Sequence, residues 1–137
     1  METDTKMVVV DSTFLIHFLR NDTRATTKAT NFSEQIFTTR INVFEILIGV
    51  YNKKSEQRER ALTAFYALLD SITVLELDAR SANEAARLSA ELNKIGETVE
   101  KADMLIAAIA LSNEEHTIIT ANAKDFLKIP GIKVESY

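Results

Sequence analysis

A chain of 137 residues, 46% apolar and 26% charged, has the size and balance of one soluble globular domain. It has no cysteine and only two histidines, His17 and His116, which excludes a disulfide framework, a thiolate zinc site, a cysteine nucleophile and a histidine-rich metal centre. Three glycines and one proline argue against a loop-rich all-β fold, and a net charge of −4 means that any grip on a polyanion comes from a local patch.

The N-terminus, Met1–Lys6, lacks the basic-then-apolar order of a secretion signal. No apolar run approaches the roughly 20 residues that span a bilayer, so a cytoplasmic protein with no membrane contact is expected. Met7–Val10, three of its four residues β-branched, reads as a strand buried on both faces. Asp11, Ser12 and Thr13 can each cap a helix, and Phe14–Leu19 is a short one. Thr23–Ser33 is polar and rich in poor helix formers, a weak helix or a loop. Gln35–Thr38 is a second strand, followed by a helix over Asn42–Tyr51 that is apolar nearly all round. Ser55 is a candidate cap for a helix over Glu56–Leu69, where Leu62, Phe65, Tyr66 and Leu69 recur at three- and four-residue spacing.

Ile72–Leu75 is a third strand. Asp78 caps a helix running to about Lys94, with Ala82, Ala85, Leu88, Leu92 and Ile95 on one stripe and Gly96 as its stop. Glu100–Ser112 is a further helix, Thr117–Thr120 a fourth strand, and Ala123–Leu127 about one helical turn. Pro130-Gly131 marks a turn before a last strand, Ile132–Val134. Strands alternating with helices predict a single α/β domain over residues 1–137, its parallel sheet covered by helices on both sides. In such folds function gathers beyond the carboxyl ends of strands, which directs attention to Asp11 and to Thr120–Asp125.

Glu45 is the most informative residue. Its helical neighbours Ile41, Asn42, Ile48 and Gly49 include no cation, and an unpaired charge among apolar neighbours costs several kcal/mol or shifts its pKa. It reads as a functional carboxylate, against the plainer reading of an exposed Glu on a packed helix. Asp103, in the first turn of its helix, serves equally as a cap or as a ligand. Asp11 shares that ambiguity, and its place at a strand end tips it towards function. Thr120, Asn122 and Asp125 either satisfy a tight turn or supply oxygen ligands at a second strand end. Jointly these oxygen donors suit Mg²⁺ or Mn²⁺, hard ions that engage phosphate and acidify water.

These pieces, Val8–Ile16, Asn42–Gly49, Ala102–Ala108, Ile119–Phe126 and Ile129–Ile132, resemble the PIN-domain nucleases, most closely the VapC toxins of type II toxin–antitoxin pairs. The resemblance implies a five-stranded parallel sheet in order 3-2-1-4-5. It implies that Asp11, Glu45 and Asp103 are catalytic ligands of Mg²⁺ or Mn²⁺, with Asn122 and Asp125 completing or supporting the site, Ser12 orienting Asp11 by a hydroxyl hydrogen bond and Thr120 supporting the site. It also implies an endoribonuclease, a homodimer and a VapB-like antitoxin partner. The opening motif departs from the family pattern, with Ser12-Thr13 where Thr followed by Ser or Asn is usual, and His17 where Asp is common. Glu100, one turn before Asp103, reads as a solvated first-turn residue or an outer carboxylate. Arg20, Arg24, Lys28 and Arg40 flank the first two motifs and are candidate contacts for RNA phosphates. A non-toxin PIN nuclease and a catalytically silent PIN-fold binding protein are the rival readings.

Overall fold

The structure, a computed structural model, describes residues 7–32 and 35–137. The reading of Met1–Lys6 and the end of the polar stretch at Ser33 lie outside the described residues. Five parallel strands form one sheet: β1 (Met7–Val10), β2 (Gln35–Thr39), β3 (Thr73–Leu75), β4 (Thr117–Ile119) and β5 (Lys133–Glu135), in the order β3-β2-β1-β4-β5. The central strand is set by Val9, which pairs with Phe37 on one side and Ile118 on the other. Among the described residues six α-helices cover it: α1 (Ser12–Leu19), α2 (Thr23–Thr30), α3 (Arg40–Tyr51), α4 (Ser55–Leu69), α5 (Ala79–Lys94) and α6 (Lys101–Ser112).

Alternation along β1 divides the core. Val9 points towards the α5–α6 side with Leu88, Ala107 and Phe126, whereas Val8 and Val10 face α1, α3 and α4 with Phe14, Ile46 and Phe65. All three valines are buried, as an internal strand of a doubly covered parallel sheet requires. Among the described residues no helix is long and apolar enough to cross a membrane.

One open alternative is resolved and two local expectations change. The Thr-rich segment is helical over Thr23–Thr30 because Asp22 caps it, accepting from the Arg24 and Ala25 N–H groups, and because Ala25 is buried. Ser55 is not the cap of α4: Lys54 holds that position and makes no side-chain cap, so Ser55 is the first helical residue. On α5, Ala82 and Ile95 leave the buried stripe, Ile95 being 72% exposed, and Ser81 joins Ala85, Leu88 and Leu92 instead. The reciprocal capping box between Asp78 and Ser81 turns Ser81 inward. Ile95 already lies at the C-cap, where Gly96 (φ +76°) reverses the chain and the Glu97 N–H closes on the Leu92 carbonyl.

Candidate functional site

The carboxyl ends of β1 and β4 lie side by side, and both strands hand over polar residues there. Asp11, 4% exposed, is the N-cap of α1. Its Oδ1 accepts the Phe14 N–H (3.1 Å) and the Thr13 hydroxyl (2.6 Å), and its Oδ2 accepts the Thr120 hydroxyl (2.5 Å). Burial pushes Asp11 above the ordinary carboxylate range, while the bonds from Thr120, Thr13 and Phe14 pull the other way. The turn after β4 is tied to the same residues: the Ala121 N–H donates to Thr13 Oγ1 (3.0 Å) and the Asn122 N–H to Thr120 Oγ1 (2.9 Å). The Asn122 residue itself is exposed.

Glu45 projects from α3, half-buried, and its Oε1 receives at 2.7 Å the Ser12 hydroxyl, which was expected to orient Asp11; Thr13, the next residue, orients Asp11 instead. Ser12 is held in turn by Asn42 Nδ2 at 3.3 Å, and Asn42, fully buried, is locked into a capping box with Thr39 at the end of β2. The partner that sequence neighbours denied to Glu45 is thus a hydroxyl 33 residues away. Neither Thr39 nor Asn42 stood out in the sequence, although the Thr-x-x-Asn spacing at a strand-to-helix junction is a capping signal.

Asp103 sits half-buried in the first turn of α6 and is pushed up to about 6, first by burial and then by the negative charges of Asp125, Glu100, Glu45 and Asp11. Five carboxylates from four separated segments therefore share one field. Glu100, Asp103 and Asp125 are the most closely drawn, one oxygen of each lying within 4.8 Å of the other two. Asp125 is fixed by the Glu100 N–H (3.1 Å) and by Lys128 (3.4 Å), and these hold its carboxyl below the usual range. Glu100 is exposed, yet it belongs to this group. It is the N-cap of α6, and its place three residues before Asp103 was the signal for it. An anionic, oxygen-only donor set of this kind fits a hard dication and no soft metal.

The arginines fall into different settings. Arg20 is exposed at the end of α1, Arg24 pairs with Asp22 (3.5 Å), and Arg40 makes a two-pronged pair with Glu76 (2.9 and 2.6 Å). Lys28 is paired with Glu135 (2.9 Å).

Comparison with known proteins adds the lineage. The PIN domain model matches residues 8–132. Ribonuclease VapC1 of Rickettsia felis is 30% identical over 128 residues, 93% of each chain. The tRNA(fMet)-specific endonuclease VapC of Salmonella typhimurium is 30% identical over 97 residues, 71% of each chain. Among solved structures, DNA-bound VapBC from Salmonella typhimurium matches with a TM-score of 0.82 and 25% identity, covering 96% of this chain and 98% of that one. FitAcB from Neisseria gonorrhoeae gives 0.83 at 20% identity over 93% and 96%, a likeness of fold. By the span of the domain match, the order of its strands and its relatives, this chain belongs to the PIN-domain family, with VapC ribonucleases among its homologues.

Proposed function

We propose that the protein is a divalent-cation-dependent endoribonuclease, the toxin of a VapBC-type pair. The observation that carries this reading is the close grouping of Glu100, Asp103 and Asp125, with Asp11 and Glu45 outside that group yet near enough to act on Asp103 through their charge, in a chain homologous to named ribonucleases. Like charges gathered this closely are unfavourable without a cation. Asp11, Glu45 and Asp103 would hold Mg²⁺ or Mn²⁺, with Asp125 and Glu100 as further oxygen donors and Asn122 a neutral one at the rim. Bound there, the ion supplies charge neutralisation at phosphate and acidifies water.

The surrounding side chains set the direction of those carboxylates. Thr13 and Thr120 fix both oxygens of Asp11, and Ser12 fixes one oxygen of Glu45, leaving the other for a ligand. Hydrolysis adds water oxygen to phosphorus and expels the 3′ oxygen, which takes up a proton, so the products are a 5′-phosphate and a 3′-hydroxyl. Arg20 and Arg24 are the basic side chains proposed to meet RNA phosphates. Arg40 would have to leave Glu76 to join them. A VapB-like antitoxin and a second copy of the chain are the proposed partners, and the cytoplasm the proposed compartment. VapBC complexes among the structural neighbours support the first of these.

The test incubates purified protein and Asp11→Asn with an RNA pool in Mg²⁺, Mn²⁺ or EDTA and maps new 5′ ends. Ends bearing 5′-phosphate that vanish in EDTA and in the variant are expected. Cleavage that survives both, or none in any ion, overturns the reading.

A further inference from the structure

Three hydroxyls face the carboxylates of the site, and each has a nitrogen behind it. Ser12 Oγ meets Glu45 Oε1 at 2.7 Å and Asn42 Nδ2 at 3.3 Å. Thr13 Oγ1 meets Asp11 Oδ1 at 2.6 Å and the Ala121 N–H at 3.0 Å. Thr120 Oγ1 meets Asp11 Oδ2 and, at 2.9 Å, the Asn122 N–H. A hydroxyl has one proton, and an N–H can only donate. Each oxygen therefore accepts from its nitrogen and keeps its proton for the acid. Both threonine protons being committed, neither crosses the 3.4 Å between the Thr13 and Thr120 oxygens.

Behind Thr13 and Thr120 the nitrogen belongs to the backbone, a fixed donor. Behind Ser12 it belongs to a side-chain amide, whose two ends could change places. Thr39 settles which end faces Ser12. Its backbone N–H points at Asn42 Oδ1 (3.3 Å), and its hydroxyl, which accepts the Asn42 N–H (3.2 Å), gives its proton to the same oxygen (2.8 Å). Turning the amide over would set its NH₂ against the Thr39 N–H and leave that buried backbone donor without an acceptor.

We propose that Asn42 is a positioning residue for Glu45: its amide, oriented by Thr39, backs the Ser12 hydroxyl and commits the serine proton to Glu45 Oε1, which leaves Oε2 for a cation. Of the three backing donors it is the one that a substitution can remove. The direction of the hydroxyls stands on hydrogen-bond geometry alone, whereas the effect on ion binding rests on the nuclease reading.

Asn42 also caps α3, and Asn42→Ser separates the two jobs. Ser81, at the same third position of α5, accepts its cap residue's N–H on the hydroxyl at 2.9 Å, so a hydroxyl suffices for the cap yet is too short to reach Ser12. In calorimetric Mn²⁺ titration without RNA, Ser12→Ala, which removes the direct partner of Glu45, is expected to weaken binding roughly 10- to 100-fold, and Asn42→Ser, acting through it, roughly 3- to 10-fold. In the Ser12→Ala background Asn42→Ser then costs nothing further. Wild-type affinity in Ser12→Ala, or an equal loss from Asn42→Ser with and without the Ser12 hydroxyl, overturns the positioning role. NMR of the ¹⁵N-labelled protein in EDTA tests the direction. The Asn42 side-chain NH₂ resonances are expected to move and to exchange faster with water in Ser12→Ala, with Asn113, whose Nδ2 bonds the Ile109 carbonyl at 2.8 Å, as the internal reference. An Asn42 amide indifferent to Ser12→Ala overturns the arrangement. Should Asn42→Ser not fold, Ser12→Ala decides by both measurements. If the wild type binds no Mn²⁺, the nuclease reading fails, and the amide resonances alone decide the direction of the hydroxyl.

Discussion

Glu45 and Asp103 answer the same problem, a carboxylate in low-dielectric surroundings, in different ways. Glu45 takes a hydroxyl from Ser12, whereas Asp103 sits among other acids and is raised to about 6 from 3.8. A folded-state value above the unfolded one means that the metal-free fold binds this proton more tightly than the unfolded chain does. The contribution of Asp103 is therefore most favourable below about pH 4, declines as pH climbs through about 6, and stays unfavourable above it. Discounted for its partial exposure, the cost at neutral pH is roughly 1 kcal/mol. Asp103→Asn in EDTA should thus gain that much in urea unfolding at pH 7.5 and lose this share of the slope between pH 4 and 6, while losing nuclease activity. An unchanged midpoint would contradict the crowding of acids. Asp11 predicts the reverse. Asp11→Ala strands the Thr13 and Thr120 hydroxyls and the Phe14 N–H, so a loss of about 2–3 kcal/mol is expected by the same measurement, with Asp11→Asn milder. In the sequence, the absence of a cation around Glu45 was legible from its helical neighbours. The identity of its partner was not, because a hydrogen bond spanning 33 residues leaves no local pattern.

Elements were legible where hydrophobic period and punctuation agreed. The β-branched run of β1 and the Asp78 and Gly96 boundaries of α5 follow from local chemistry alone. Errors fell on features that local pattern underdetermines: Ser55 looked like a cap but entered the helix, and Ile95 matched the stripe but stood beyond its last turn. Gly96 isolates one such feature. A Cβ added there meets nothing within 4 Å, so the cost of Gly96→Ala is the backbone's alone at φ +76°, about 1 kcal/mol, with activity intact. Asn42→Ala is the contrasting case. It breaks the α3 capping box and releases Ser12 from beneath Glu45, so a loss of about 2 kcal/mol in urea unfolding together with reduced cleavage is expected.

Across the whole molecule, four segments of the chain contribute acids to one field, from Asp11 to Asp125. Each motif was visible in the sequence, and so was the rule that function lies at strand ends. Their mutual distances were not, since only the sheet's strand order brings β1 and β4 together. An ion that binds the assembled site and not the unfolded chain stabilises the fold by about 2.7 kcal/mol at a hundredfold excess over its dissociation constant. Calorimetric scans should therefore show a higher Tm with Mn²⁺ for the wild type and a much smaller rise for Asp103→Asn. The margins of the sheet have a separate consequence. Both flanking strands, β3 and β5, are three residues long and set Thr73 and Lys133 towards water, so they present few free amides to a stray segment of another chain. Concentrating this protein gives intermolecular zippering, and with it fibril growth, very little backbone on which to start.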